Sequence, residues 1–204
     1  MTTVVTAHST SIDGFLAGAD DTPEQPLGTG GDRLFTWLTD GDTPSRYAPS
    51  LKMSAVSAAF FDEGVGGVGA VIAGRRTYDV SEAWGGTGPL PGIPLFVMTH
   101  RVPESVPEGD PPYTFVTEGI ERAVEDAGAA AAGKNVVLMG ANVVQQALRA
   151  GLLDTLVISL VPVVLGGGVR LLDGLDPGGH DFDLVRVVDA PGVTHLHYRV
   201  NQTR

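Results

Sequence analysis

Short runs of apolar and β-branched residues recur along the chain, and most of them scarcely alternate with polar ones. TTVVTAH (2–8), GAVIAG (69–74), PLFVMT (94–99), NVVLMG (135–140) and TLVISLVPVVL (155–165) read as largely buried strands. Helical stretches lie between several of them: SLKMSAVSAAFFDEG (50–64), TYDVSEAW (77–84), GIERAVEDAGAAAAG (119–133) and ANVVQQALRAG (141–151). Gly133 and Gly151 stand where helix C-terminal caps belong. Strands alternating with helices predict an α/β fold with a mostly parallel central sheet.

The pattern changes near the end. After GGG (166–168), the segment HDFDLVRVVDAPGVTHLHYRV (180–200) is two alternating runs joined by the turn DAPG. That is an antiparallel hairpin, so the sheet is mixed. Residues 17–49 form a Gly/Pro/Asp-rich stretch with one apolar island, LFTWL (34–38). A loop this long within a domain is functional or disordered. The island is expected to dock at the mouth of a cleft as part of a lid; the competing reading makes it a plug in the core.

Composition narrows the classes. With 204 residues, 43% of them hydrophobic and spread along the chain, residues 1–204 are expected to form one domain. The net charge of −11 argues against nucleic acid and anionic membrane surfaces. The absence of cysteine removes disulfides, thiolate catalysis and Cys-ligated metal. No signal-peptide pattern opens the sequence and no apolar run approaches the roughly 20 residues that span a bilayer, so a cytoplasmic location is expected.

Several motifs carry little. GVGGVG (64–69) matches the dinucleotide glycine pattern, but a helix precedes it and a strand follows, the reverse of what pyrophosphate binding needs. GAAAAGKN (128–135) resembles a phosphate loop with Asn135 in place of the magnesium-binding hydroxyl, and reads as a helix end. His195 and His197 share a strand face without a third ligand, which makes solvated histidines the better reading and gives no metal site. No G-x-S-x-G elbow is present.

AVIAGRRTYD (70–79) is different, because so acidic a chain places two arginines together where a strand ends. With a helix starting near Thr77, Gly74 permits close approach, and Arg75 and Arg76 bring forked donors suited to phosphate. The alternative is an exposed turn whose arginines pair with Asp79 and Glu82. PLFVMTHR ends another strand in Thr99, His100 and Arg101, and VVLMGANVV ends a third in Gly140 and Ala141. In a doubly wound sheet these ends share one edge. Three such ends suit a nucleotide with a pyrophosphate and an extra phosphate, which is NADPH.

The series STSIDGFLAG, AVIAGRRTYD, PLFVMTHR, VVLMGANVVQQAL and GLLDTLVISLVPVVLGGGVRLL resembles the dihydrofolate reductase-like superfamily, and within it the reductase domain of riboflavin biosynthesis. The resemblance implies a three-layer α/β/α fold with about eight strands and NADPH as cofactor. It places Arg75, Arg76 and Thr77 at the 2′-phosphate and pyrophosphate, with Gly74 beside them. Thr99, His100 and Arg101 would wall the adenosine phosphate, and Gly140, Ala141, Asn142 and Val143 would form the second pyrophosphate loop. Ala7 and Leu16 would lie by the nicotinamide, and Gly166, Gly167 and Gly168 would close the substrate end. It also implies a homodimer formed through the C-terminal strands.

The match fails at one point that matters. The acid that binds the pteridine in folate reductases falls near Ala58 here, and Asp62 and Glu63 come about a turn too late. The expected function is therefore hydride transfer from NADPH to a C=N or C=O bond of a small heterocycle, pterin- or aminouracil-like, rather than to dihydrofolate. The alternative is a non-catalytic NADP(H)-binding or sensor protein. Asp13 is the candidate acid, or else a polar anchor or turn residue; Trp37 and Phe60 are candidates for stacking on a flat substrate, or else core residues.

Overall fold

The first strand, β1 (Val4–Thr10), lies in the middle of an eight-stranded sheet in a computed structural model that describes residues 2–175 and 179–201. Along the chain follow β2 (Phe15–Ala17), β3 (Thr43–Pro44), β4 (Lys52–Met53), α1 (Ala55–Gly66), β5 (Val68–Gly74) and α2 (Arg75–Val80). Then come β6 (Leu95–Met98), β7 (Thr114–Val116), α3 (Ile120–Ala130), β8 (Asn135–Met139), α4 (Ala141–Arg149) and β9 (Thr155–Leu160). Last are β10 (Val169–Arg170), β11 (Phe182–Ala190) and β12 (Val193–Val200), the last two being the expected hairpin. The sheet order is β11-β12-β9-β1-β8-β5-β6-β7, with every pairing parallel except those made by β12.

Both faces are covered, which is why the inner strands read as unbroken apolar runs. On one face Val4, Ala70, Ile72, Val136, Leu138 and Leu156 pack with Ala123 and Ala127 of α3 and Val144 and Ala147 of α4. The other face carries two separate clusters. Val71, Ala73, Leu95 and Val97 pack under Tyr78 of α2; Val161 and Val193 pack with Leu34, Trp37, Met53 and Ala58.

Boundaries differ from expectation where local geometry overrides composition. The strand expected over 155–165 stops at Leu160, because the Val161 N–H turns to Thr10 O (2.8 Å) and the Val163 N–H to Val161 O around Pro162. The helix expected over 77–84 begins earlier, at Arg75, and ends at Val80. Beyond it Ala83 and Trp84 take φ values of 52° and 50°, a left-handed turn that the Tyr113 hydroxyl braces by donating to Ala83 O at 2.6 Å. The GVGGVG run spans the end of α1 and the start of β5, and Gly133, with φ 82°, lies just past α3. Both run from helix to strand, as their order in the chain required.

Candidate functional site

β8, β5 and β6 are adjacent and parallel, so their carboxyl ends emerge side by side. The residues after them make contact across the gaps. Arg75 donates through Nη1 to Arg101 O (2.8 Å) and to Thr99 Oγ1 (3.4 Å), and Thr99 Oγ1 itself donates to Arg101 O (2.7 Å). Gly140, at φ 100°, approaches Thr77 so closely that a Cβ there would lie 2.6 Å from Thr77 Oγ1. A Cβ on Gly74 would lie 3.3 Å from Val143 Cγ2. Gly74, Arg75, Thr77, Thr99, Arg101, Gly140 and Val143 thus form one continuous edge, with His100 exposed beside it. Ala141 and Asn142 open α4, where no side chain caps the helix.

The two arginines hold carboxylates. Arg75 Nε meets Asp79 Oδ1 at 2.8 Å, one of the pairings weighed as the turn-only alternative. Arg76 turns instead to Asp21, a residue of the long loop, with Nη2 2.8 Å from Oδ1 and Nε 3.1 Å from Oδ2, and Nη2 also donates to Asp21 O. The Arg76 hydrogen bonds hold the Asp21 carboxyl below its usual range. No pattern in residues 17–49 pointed to Asp21.

A second feature lies at β1. Its pairing with β8 covers only Val4–Thr6, whereas that with β9 continues to Thr10. Beyond Thr6 the strands part, and Ala7, although in the middle of the sheet, is exposed. Ala7 shares its face with Ser9, whose Oγ accepts from Trp37 Nε1 at 3.0 Å. Leu16 is half-buried in β2. His8 follows Ala7; its Nε2 is buried without a hydrogen-bond partner among the described residues, and burial lowers its pKa to about 4.

The glycine turn packs against the segment around Asp13. Asp13 accepts from the N–H of Leu165 (3.1 Å) and of Gly166 (2.8 Å), and Arg170 Nη1 donates to Asp13 O at 2.7 Å. Gly168, at φ 125°, packs on Ala17 and Gly18, where a Cβ would lie 2.1 Å from Ala17 O. Gly166, Gly167 and Gly168 are therefore fastened over the SIDG segment. The Ser11 hydroxyl and those two N–H groups, acting against burial, lower the Asp13 pKa to about 2. A carboxylate so held is ionised at neutral pH and has no proton to give, which favours the anchor over the acid.

Trp37 and Phe60 come together around a histidine. The His195 ring stacks on Phe60 (centroids 4.3 Å apart, 14° between planes) and meets Trp37 edge-on at 5.0 Å. Trp37 is 8% exposed, with Leu34 beneath it fully buried. Leu34 and Trp37 belong to a buried cluster, whereas Phe60 is half-buried with the Arg186 guanidinium 5.6 Å from its ring centre. His195 is itself fully buried, not solvated as expected, with Nδ1 2.8 Å from Ser159 Oγ and Nε2 3.2 Å from Ser57 Oγ. Near the position of the missing acid, Asp62 faces Ser45 and Arg46, and Glu63 pairs with Arg186.

The residues present fit a phosphorylated dinucleotide. Glycines at two strand ends, one of them without room for a Cβ and the other tightly packed, adjoining arginines and an exposed alanine where strands part give space for backbone approach, counter-charge and a flat surface.

Comparison with known proteins agrees with this architecture. A protein of Shewanella sp. PV-4 described as one of riboflavin biosynthesis superposes with a TM-score of 0.70 at 22% identity, over 98% of this chain and 99% of that one. A diaminohydroxyphosphoribosylaminopyrimidine deaminase/5-amino-6-(5-phosphoribosylamino)uracil reductase from Thermotoga maritima gives 0.60 at 14% identity; 98% of this chain covers 57% of that longer one. Dihydrofolate reductase from Enterococcus faecalis, complexed with NADP(H) and RAB-propyl, gives 0.55 at 15% identity, over 98% of this chain and 96% of that one. The search of curated proteins gave no match. The sequence itself matches one family along residues 2–192, and the chain belongs to the RibD C-terminal domain family.

Proposed function

We propose that the chain is an NADPH-dependent reductase that delivers hydride to a C=N or C=O bond of a small heterocycle, an aminouracil or pterin relative. The supporting observation is the meeting of three strand ends, where Arg75, Thr77, Thr99, Arg101 and Gly140 line one edge, with Arg76 next in the chain to Arg75 and Ala7 exposed on the neighbouring strand. NADPH supplies the hydride when bound. Arg76, with Arg75 and Arg101 beside it, holds the 2′-phosphate, while Thr77 and the Gly140–Val143 turn hold the pyrophosphate. Ala7 and Leu16 seat the nicotinamide, and the Gly166–Gly168 turn, anchored by Asp13, bounds the substrate. No helix among the described residues is long and apolar enough to cross a membrane. We further propose a cytoplasmic location, and a homodimer because Leu184, Val185 and Val187 on the edge strand β11 are each more than half exposed.

A second reading has its own support. Asp13 is ionised, and Asp62 and Glu63 are engaged away from the cleft, so the carboxylates considered for proton delivery do not serve. That suits a protein which binds NADP(H) without turnover. Calorimetry with NADPH and NADH, followed by NADPH oxidation with a panel of aminouracils and pterins, tests both. Binding with oxidation supports the reductase, binding without oxidation of any panel member supports the sensor, and no binding overturns both.

A further inference from the structure

Residues 18–31 form a loop closed on itself. Gly18 N–H donates to Leu27 O (2.8 Å), Thr29 N–H to Ala19 O (2.7 Å), and Thr22 and Gln25 exchange backbone hydrogen bonds at its tip. The base leaves no room for side chains: a Cβ on Gly18 would lie 2.0 Å from Thr29 O. Among the described residues, the hydrogen bonds that leave the 19–27 stretch for the body of the protein, beyond its own base, are those between Asp21 and Arg76. The loop is thus a hairpin hinged at its base and held at its tip by one ion pair. Asp21 is the inner half of that pair, its side chain 21% exposed against 65% for Arg76.

We infer that Asp21 is a specificity-determining latch: its carboxylate occupies the guanidinium that selects the cofactor phosphate, and the 2′-phosphate of NADPH releases it, freeing the loop tip. The inference rests on the cofactor reading above. Asp21 uses Nε and Nη2 of Arg76, one whole edge of the fork. A phosphate taking that edge must displace the carboxylate. One taking the other edge brings a near-dianion beside a carboxylate on the same guanidinium, where like charges repel. NADH carries no phosphate there and leaves the latch shut. Asp21 therefore weakens NADPH binding without touching NADH, and it couples the loop to the identity of the nucleotide.

The chain has no cysteine, so a single Glu24→Cys substitution at the exposed loop tip accepts one nitroxide label without side reactions. Its electron paramagnetic resonance spectrum reads tip mobility, and calorimetry on the same sample reads nucleotide binding. The expected result is a label that mobilises on saturation with NADPH and not with NADH. In an Asp21→Asn background the label is mobile from the outset, and NADPH binds about two- to fivefold more tightly, the range of an exposed ion pair. Arg76→Gln also frees the tip without nucleotide. If NADPH binds and the label keeps or loses mobility, the latch is wrong while the cofactor reading stands. If NADPH does not bind, the calorimetry overturns the cofactor reading, and the latch falls with it.

Discussion

Gly140 and Thr77 belong to different strand–helix units, yet a Cβ on Gly140 would come within 2.6 Å of Thr77 Oγ1. Gly140 also has φ 100°, so a side chain is disfavoured by its own backbone as well as by its neighbour. Gly140→Ala is expected to cost about 1–3 kcal/mol from backbone strain alone, since φ 100° with ψ 142° is a region essentially confined to glycine, and to weaken nucleotide binding. Adding Thr77→Ala removes the contact but not the φ penalty, so thermal melts of the double variant should recover only part of the loss.

Arg76→Ala should weaken NADPH by roughly tenfold or more, since a hydrogen bond to a charged group contributes about 1.5–3 kcal/mol. The loss is set against the Asp21 pair that wild type must first break. NADH affinity should stay the same. Paired calorimetric titrations check this, and an unchanged NADPH/NADH ratio removes Arg76 from the phosphate site.

Stability should fall with acid because of His195. The ring is fully buried, and burial lowers its pKa from 6.5 to about 4. Below pH 6.5 the unfolded chain takes up the proton and the folded one does not, so stability is lost progressively between pH 6.5 and about 4. The loss amounts to about 3 kcal/mol at the lower limit. His8, shifted in the same direction, adds to it. Urea midpoints at pH 7.5 and 4.5 should differ more in wild type than in His195→Gln.

The edge strand predicts the assembly. Leu184, Val185 and Val187 are 55%, 58% and 53% exposed on β11. Val187→Lys should convert a dimer to a monomer in light scattering at micromolar concentration, with no change in the circular dichroism of the fold. A wild-type monomer would refute the homodimer.

Asp13 should act through the glycine turn. With its pKa near 2 it contributes no titration limb above pH 4, so Asp13→Asn should leave the shape of the pH–rate profile unchanged. The asparagine amide keeps one acceptor oxygen and sets an NH2 against the other backbone donor, so one of the two N–H hydrogen bonds from Leu165 and Gly166 is lost, which should raise KM for the heterocycle.

The strand–helix units were legible because period and punctuation agree in them: a buried run, a glycine, then an amphipathic stretch, as at Gly74 and Gly140. What sequence hid was pairing at a distance. His195 in an alternating strand looks the same whether solvated or buried, and only Ser57 and Ser159, from other elements, decide it. Asp21 lies in a stretch rich in Gly, Pro and Asp, where no periodicity marks one acid above another. The three residues of β7 are too few to show a period. One signal was present and outweighed: Pro162 inside VISLVPVVL already argued for a strand ending before it.

The central place of β1 has a consequence for synthesis. Its partners begin at Val136 and Thr155, more than a hundred residues downstream. On a ribosome this strand emerges long before either neighbour exists, with Val4 and Val5 unsheltered and every backbone amide unanswered. Pairing of β1 is held back until β8 and β9 have left the tunnel, and loop closure over that span makes the step slow. The cleft at Ala7 is then among the last features to form, which marks the nascent chain, rather than the finished protein, as the stage most exposed to aggregation and most in need of a chaperone.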